Sequence, residues 1–260
     1  GVLNKIKRIS NKLVPLVFLL VFLAIWEGVI ELGGVEKYIM PAPTDIVKAI
    51  VKDFNTLLPH IIATLYESLV GFIIAIVLAL VLAIIMDLVP FIKKGLYPLL
   101  VVSQTVPVIA LAPLFIIWFG FGALPKIIVV VIVCVFPIVI SISDGLENVD
   151  KDFINHFKLM GASKFKIFTH LKLPYGIINF FSGVRIAATY SIMGAVIGEW
   201  LGGDKGLGVY MTRARSAYAL DKMFGAIVII VILSMAIFFM IGLVERLVTP
   251  WNKKIKDGGE

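Results

Sequence analysis

Between Glu67 and Asp87 the chain carries no charged residue and reads SLVGFIIAIVLALVLAIIM, residues 68–86. A helix that crosses the ~30 Å hydrocarbon core of a bilayer needs about 20 consecutive, mostly apolar residues. This run has that length and composition, so it predicts a helix that spans a membrane rather than a helix of a soluble domain.

The composition of the whole chain agrees with this prediction. Of its 260 residues, 60% are hydrophobic and 16% are charged, whereas an average soluble domain is about 25% charged and under half apolar. Six runs of spanning length are predicted: Leu13–Ile30, Ser68–Met86, Gly95–Pro125, Ile127–Ser143, Pro174–Gly198 and Met223–Val244. We therefore expect an all-α membrane protein with about six transmembrane helices, of which the third, interrupted by prolines, is one bent helix.

Lysine and arginine in the loops set the expected orientation, because these residues collect on the cytoplasmic side. With a cytoplasmic N-terminus, the inner set is Lys5, Lys7, Arg8, Lys12, Lys93, Lys94, Lys151, Lys158, Lys164, Lys166, Lys172, Arg246, Lys253, Lys254 and Lys256. The outer set is smaller and consists of Lys37, Lys48, Lys52, Lys126, Lys205, Arg213, Arg215 and Lys222. We expect a multi-pass protein of the cell (inner) membrane with both termini in the cytoplasm.

The net charge of +7 could indicate nucleic-acid binding. Basic loops that contact anionic headgroups explain it better, so no nucleic-acid partner is expected. His60, His156 and His170 are scattered and lack the carboxylates or second histidine of a metal site. We expect them to be solvated loop residues and expect no bound metal.

The connection after the first run predicts a short amphipathic helix. Thr44 is expected to cap it, with Ile46, Val47, Ile50 and Val51 on one face. Such a helix would lie along the outer membrane surface.

The connection between the fourth and fifth runs, residues 150–174, predicts two short helices. The first runs from Asp152 to Met160 and ends at Gly161, and Ser163 caps a second that extends to about Leu171. Phe165 and Phe168 would project from one face of the second helix. Two readings stay open: the aromatic pair enters a groove on a soluble partner, or the helix rests on lipid headgroups.

This connection resembles the cytoplasmic signature loop of ATP-binding-cassette (ABC) importer permeases. In that loop a Glu-Ala-Ala triplet is followed by Gly, nine residues, an aliphatic residue, any residue, and Leu-Pro. Gly161 and Leu171-Lys172-Leu173-Pro174 keep the spacing, whereas Asn155-His156-Phe157 stand where the triplet would be. Further segments are similar to the nitrate/sulfonate/taurine subfamily: Trp26-Glu27, Met40–Pro43, Pro107–Leu114, Trp118–Gly122, Gly183–Ala187, Gly198-Glu199 and Gly206–Gly208.

The resemblance implies a type I, MetI-like permease fold, with one permease domain over residues 1–260 and a cytoplasmic coupling loop at 150–174. It implies a second copy of this chain, two ATPase subunits, an extracytoplasmic solute-binding protein and the lipid bilayer as partners, working by alternating access. ATP and Mg²⁺ would be bound by the ATPase, with no cofactor or catalytic residue in this chain. The residues implied to couple to the ATPase are Gly161, Ala162, Ser163, Lys164, Phe165, Phe168, Leu173 and Pro174.

Polar side chains inside the third and fifth runs are candidates for the translocation path. They are Ser103, Gln104, Thr105, Arg185, Thr189, Tyr190, Ser191 and Glu199. The serine, threonine and tyrosine residues have an alternative role, because hydroxyl groups in membrane helices often bond to their own backbone. Arg185 could form a structural pair with a carboxylate or with the carbonyls of a helix end, and Glu199 could mark the membrane interface.

The solute implied by the resemblance is a sulfonate-, nitrate- or bicarbonate-like anion, or a vitamin precursor such as a pyrimidine or a flavin. Two alternatives belong to other classes. A membrane-embedded enzyme would need clustered acids, bases or metal ligands, which the sequence does not show. A vitamin-capturing membrane module would have no reason to carry its own coupling loop.

Overall fold

The structure, a computed structural model, describes residues 2–250 and the side chains of residues 13–250. The basic side chains of the termini that entered the orientation argument lie outside this description; they are Lys5, Lys7, Arg8, Lys12, Lys253, Lys254 and Lys256. The described α-helices are α1 (Val2–Gly33), α2 (Pro43–Lys52), α3 (Phe54–Leu88), α4 (Pro90–Ser103), α5 (Val108–Phe119), α6 (Ala123–Glu147), α7 (Lys151–Leu159), α8 (Lys164–Ile167), α9 (Leu173–Trp200), α10 (Leu207–Ser216) and α11 (Leu220–Val248).

Within the described residues, five helical segments are long and apolar enough to cross a bilayer. They are Leu13–Gly33, Phe54–Leu88, Ala123–Glu147, Lys164–Trp200 and Leu220–Val248. The pair formed by α4 and α5 makes a sixth if it is taken as one broken span. This confirms the expected all-α membrane fold with about six transmembrane helices.

The third run is broken more sharply than the expected bent helix. Helices α4 and α5 meet at an angle of 100°, and residues 104–107 form the turn between them. Pro107 has no N–H to donate to the preceding turn and disfavours helical geometry at Val106, so α4 cannot continue through this point. The new helix starts after Pro107, which is its N-cap.

The chain divides into two compact units, of which the first comprises Gly1–Pro59 and Tyr210–Ile229. In this unit the backbone N–H and the hydroxyl of Thr44 donate to the Glu27 carboxylate at 3.0 and 2.5 Å. The side chain of Trp26 meets Phe224 edge-on, with 6.1 Å between ring centroids. Glu27 of the Trp26-Glu27 segment is therefore hydrogen-bonded to Thr44, the residue that follows the Met40–Pro43 segment.

Helix α2 differs from its prediction in both its cap and its buried face. It starts at Pro43 with Ala42 as N-cap, because the Thr44 side chain is bonded to Glu27 and not to the helix. Ile46 and Ala49 are buried, whereas Val47 and Val51 are exposed. The expected cap was wrong, since a carboxylate acceptor from α1 competes successfully for the same hydroxyl.

Asp53, between α2 and α3, is held by side-chain donors in the first unit. Burial raises its pKa, but hydrogen bonds from Tyr210, Lys222 and Thr56, together with the charge of Lys222, outweigh burial and hold the pKa below its usual range. The Tyr210 hydroxyl lies 2.6 Å and the Lys222 ammonium 3.3 Å from Asp53 Oδ2. Burial, followed by the Asp53 carboxylate, raises the pKa of Tyr210.

The second unit comprises His60–Val209 and Ile230–Glu260, and its core is the packing of α6 against α9. Small residues of α9, including Ala187, Ala188 and Ala195, are buried there. Small side chains let membrane helices approach closely, so that van der Waals packing can hold them together. The thiol of Cys134 on α6 donates to the Ala187 carbonyl at 3.3 Å.

Candidate functional site

The 150–174 connection lies in the second unit and begins with a capped helix. The Asp150 carboxylate accepts the N–H of Asp152 at 2.8 Å and caps α7. Gly161 follows the helix with φ +78°, a conformation that a side chain disfavours. The Ser163 hydroxyl accepts the N–H of Lys166 at 3.3 Å and caps α8. The predicted turn at Gly161 and the predicted cap at Ser163 are confirmed.

The second helix of the connection does not end near Leu171. A turn of π-helix, Phe168–Lys172, joins α8 to α9, so that one helical segment runs from Lys164 to Trp200. Pro174 stands in the first turn of α9. Pro174 cannot donate a hydrogen bond to the carbonyl four residues earlier, so the α-helical hydrogen bonding is interrupted at this point. The wider π turn accommodates the interruption without ending the helix.

The connection has a small apolar core of its own. Val149, Ile167 and Leu171 are buried, and Ile154 and Phe157 pack against them. Phe157 is one of the three residues at the place of the Glu-Ala-Ala triplet, and here it contributes packing. The core fixes α7 relative to α8.

An exposed apolar surface surrounds the turn at Gly161. It consists of Leu159, Met160 and Phe165, which are 85%, 73% and 71% exposed, and we call it the apolar tip. Phe168, in contrast, is only 9% exposed. The expectation of a projecting aromatic pair was therefore wrong for Phe168, whose side chain turns into the protein while Phe165 projects.

The remaining residues predicted to couple are spread around the tip and the start of α9. Gly161, Ser163, Lys164, Leu173 and Pro174 are exposed, and Ala162 is half-buried. The ammonium of Lys172 lies 2.7 Å from Asp87 Oδ1, which ties the connection to the end of α3. The role of these residues in coupling stays a prediction.

A cavity of about 400 Å³ lies between the α4–α5 break and helices α6 and α9. Ser103, Gln104 and Tyr190, three of the predicted path residues, line it. The other walls are apolar and are formed by Val106, Val108, Val133, Phe136, Pro137, Ile186 and Met193. None of these lining residues is charged.

Three other hydroxyl residues predicted for the path bond to their own helical turns. Thr105 donates to the Val102 carbonyl at 2.7 Å, Thr189 to Ile186 at 2.7 Å, and Ser191 to Ala188 at 2.8 Å. Ser103 also donates to its own turn, at Leu100, although it lines the cavity.

The two charged candidates for the path have carboxylate or backbone partners elsewhere. Arg185 forms an ion pair with Glu245 of α11, and its guanidinium lies 5.7 Å from the centroid of the Phe238 ring. Glu199 is 2% exposed and belongs to a buried polar cluster described next. The structure thus brings Ser103, Gln104 and Tyr190 together and places Arg185 and Glu199 apart from them.

The buried polar cluster lies near the end of α9 that is remote from the 150–174 connection. The Thr64 hydroxyl donates to Glu199 Oε1 at 2.6 Å and accepts the N–H of Leu207 at 2.8 Å. The N–H of Gly208 donates to Glu199 Oε2 at 2.6 Å. A Cβ on Gly206, whose φ is +131°, would collide with the Glu199 carboxylate. Glu199 therefore clamps the glycine-rich connection that follows its own helix.

An ion pair completes this cluster. The Lys126 ammonium donates to Glu67 Oε1 at 3.0 Å and to the Lys205 carbonyl at 3.4 Å. His60 Nδ1 accepts the N–H of Gly206 at 3.0 Å, and His60 is buried. The expectation of a solvated His60 was wrong. The sequence did not predict this cluster. The signal that the sequence offered was the position of charged residues such as Glu67 and Lys126 next to the ends of apolar runs.

The helices of spanning length define a multi-pass membrane protein. Residues 71–251 match the family described as binding-protein-dependent transport system inner membrane component, and the chain belongs to this family. It is therefore a membrane permease of an ABC importer, as the signature loop had indicated. Such a permease works with an ATPase and a solute-binding protein.

Similar proteins are named for several solutes. The chain is 36% identical to the formylaminopyrimidine transport permease protein ThiX of Halalkalibacterium halodurans over 95% of this chain and 99% of that one. It is 33% identical to the riboflavin transport system permease protein RibX of Chloroflexus aurantiacus, over 92% and 89% of the two chains. Relatives named for sulfonates, taurine and nitrate match at 24–30% identity.

A solved structure has the same fold. A chain of the MetNI methionine ABC transporter, in an inward-facing conformation, matches with a TM-score of 0.58 and 19% identity. The match covers 74% of this chain and 94% of that chain. The expected MetI-like fold is confirmed.

Proposed function

We propose that two copies of this chain form the translocation path for a small, uncharged heterocyclic solute, such as a pyrimidine vitamin precursor or a flavin. Two ATPase subunits bind at the cytoplasmic face and hold the ATP and Mg²⁺, while this chain carries no catalytic group. A solute-binding protein delivers the solute to the outer face. Both termini and the 150–174 connection lie in the cytoplasm.

The apolar tip supports docking of the ATPase at this connection. Leu159, Met160 and Phe165 are highly exposed. They stay outside the small apolar core that Val149, Ile167 and Leu171 form in the same connection. Phenylalanine and methionine are enriched at protein interfaces relative to the rest of a protein surface. The tip is therefore the docking surface that we assign to the ATPase.

The observation that carries the mechanism is the continuity of the helix from Lys164 to Trp200. Phe165 at the tip and Tyr190 in the cavity belong to the same helical segment. At 1.5 Å per residue, the separation of 25 positions from Phe165 to Tyr190 corresponds to about 38 Å. A movement imposed on the tip by the ATPase is thus transmitted along one element to the wall of the cavity, which is what alternating access requires.

The lining of the cavity supports an uncharged solute. Ser103, Gln104 and Tyr190 offer neutral hydrogen-bonding groups, and Phe136 offers an aromatic surface. An anion that enters a site of low polarity loses its hydration and needs a cation or several donors in return. The described lining supplies no cation, so a planar neutral heterocycle fits it better than a sulfonate or nitrate. The relatives named for formylaminopyrimidine and riboflavin agree with this choice.

Transport by the reconstituted complex tests this proposal. The chain is placed in proteoliposomes with its ATPase and its solute-binding protein, and uptake of radiolabelled formylaminopyrimidine, riboflavin, taurine and nitrate is measured with and without ATP. We expect ATP-dependent uptake of a heterocycle. Uptake of taurine or nitrate in preference to both heterocycles would show that the assignment of the solute is wrong.

A further inference from the structure

A second cavity, of about 340 Å³, lies beside the apolar tip and is lined by both basic and apolar side chains. Lys158 of α7, Lys164 of α8 and Lys172 of the π turn supply its basic groups. The turn between α3 and α4 contributes Asp87, Leu88 and Pro90. The cavity thus lies where the 150–174 connection meets the ends of two membrane-spanning helices.

The charges of this cavity do not balance. Lys172 is paired with Asp87 at 2.7 Å. Among residues 13–250, no hydrogen-bond or ion-pair partner is found for the ammonium groups of Lys158 and Lys164. Two lysines whose ammonium groups have no neutralising partner among these residues therefore line one concave site.

The surroundings of the cavity are apolar. Ile154, Ile167 and Phe168 form part of its walls. Immediately after Pro90, Phe91 is 85% exposed, and Leu88 and Val89 are also exposed. An occupant that satisfies both features carries a negatively charged group for the lysines and apolar chains for the rim.

We propose that the cavity lined by Lys158, Lys164 and Lys172 binds the phosphate group of an anionic phospholipid. Basic pockets beside transmembrane helices on the cytoplasmic side suit anionic headgroups, since that leaflet is rich in them. The acyl chains lie along the exposed Leu88, Val89 and Phe91. The proposal rests on the proposed cytoplasmic position of the 150–174 connection.

Bound in this way, the lipid joins the coupling connection to the α3–α4 turn. Its phosphate contacts α7 through Lys158 and α8 through Lys164, while its chains contact the turn next to Pro90. The headgroup adds a non-covalent link to the Lys172–Asp87 pair. Anionic lipid is therefore expected to stabilise the 150–174 connection in the position that it has beside the α3–α4 turn.

Lipid retention by the purified chain tests the site directly. The full chain in detergent is incubated with phosphatidylglycerol or phosphatidylcholine, and bound lipid is measured by native mass spectrometry. We expect selective retention of phosphatidylglycerol. The double variant K158Q/K164Q should bind it about 25-fold more weakly, at roughly fivefold for each lysine. K166Q, which removes an exposed charge of the same helix outside the cavity, should retain wild-type affinity.

Two further arms make the result decisive. The variant K158R/K164R keeps both charges and should bind phosphatidylglycerol as the wild type does, which separates loss of charge from loss of fold. Inorganic phosphate at millimolar concentration should not displace the lipid. The proposal is overturned if K158Q/K164Q binds as tightly as the wild type, or if inorganic phosphate binds while phosphatidylglycerol does not.

The measurement uses detergent-solubilised chain without the ATPase. A failure of transport or of ATPase docking would therefore leave the lipid result unchanged, and a failure of lipid binding would leave the proposed transport function intact.

Discussion

The Lys126 ammonium lies 3.0 Å from Glu67 Oε1, and both side chains are only 5% exposed. The pair links α6 to α3, and the Lys205 carbonyl accepts a further hydrogen bond from the same ammonium. Both charges are removed from water, so each depends on the other for its compensation.

Removal of one partner of this pair should destabilise the chain strongly. Lys126→Met leaves a buried carboxylate without its cation, for which we expect a loss of about 3–5 kcal/mol in the free energy of unfolding. Thermal unfolding in detergent measures this loss. The double variant K126M/E67L should recover part of it, because the ion pair is removed as a whole while the buried Glu199 carboxylate keeps its hydrogen bonds from Thr64 and Gly208. K205M, an exposed lysine beside the cluster, serves as the control, and equal stability of K126M and wild type would contradict the prediction.

The apolar tip and its buried neighbour should respond differently to the same substitution. Phe165→Asp places a charge on an exposed surface and should leave the fold intact while weakening ATPase binding by roughly 30-fold or more, the loss typical of an interface anchor. Phe168→Asp buries a charge and should lower the thermal stability of the chain itself.

Copurification with the ATPase and thermal unfolding, measured on both variants, separate these effects. Tyr218→Asp is the matched control, since Tyr218 is an exposed aromatic residue whose positive φ an aspartate tolerates. Undiminished ATPase binding by F165D would remove the tip from the docking surface.

Substitutions of polar residues that line the cavity should affect uptake of the solute more than a substitution of a nearby residue outside the cavity. Gln104→Met and Tyr190→Phe each remove hydrogen-bonding groups and keep the size of the side chain. Each should raise the KM for uptake about 5- to 10-fold, which corresponds to one net hydrogen bond. Thr189→Ala is the control, because Thr189 bonds to its own helix and does not line the cavity. An unchanged KM in both cavity variants would place the path elsewhere.

Asp53 should make the stability of the chain depend on acid pH. Burial raises its pKa in the folded chain, but the hydrogen bonds from Tyr210, Lys222 and Thr56 and the charge of Lys222 outweigh burial and lower the pKa. Its unfolded value is about 3.9, so the stabilisation is present above that pH and is lost as pH falls through the folded pKa. Thermal unfolding between pH 6 and pH 3 should show a smaller acid loss in D53N than in wild type. The exposed Glu36→Gln should behave as wild type, and an identical pH profile for D53N would contradict the prediction.

Local features of this fold could be predicted from sequence. Long uncharged runs predict spanning helices because a bilayer imposes a minimum length of apolar surface. The turn at Gly161 and the cap at Ser163 were also predictable, since helix ends depend on the chemistry of a few adjacent residues. The π turn before Pro174 was not predicted.

Features that depend on partners distant in sequence could not be predicted. Glu67 and Lys126 are 59 residues apart, and no periodicity indicates that they meet. Phe165 and Phe168 looked equivalent at helical spacing, yet the core around Ile167 and Leu171 buries only one of them. Whether Thr44 caps α2 or donates to Glu27 likewise depends on the position of α1.

The 100° break between α4 and α5 has a consequence for the solute path that we propose through the cavity. The carbonyls of Leu100, Val102 and Ser103, at the end of α4, already accept hydrogen bonds from the chain itself. Gln104 and Val108, on the two sides of the break, both line the cavity. Because these backbone acceptors are occupied, hydrogen bonding to a solute at the break falls to side chains, which a substitution scan can reach.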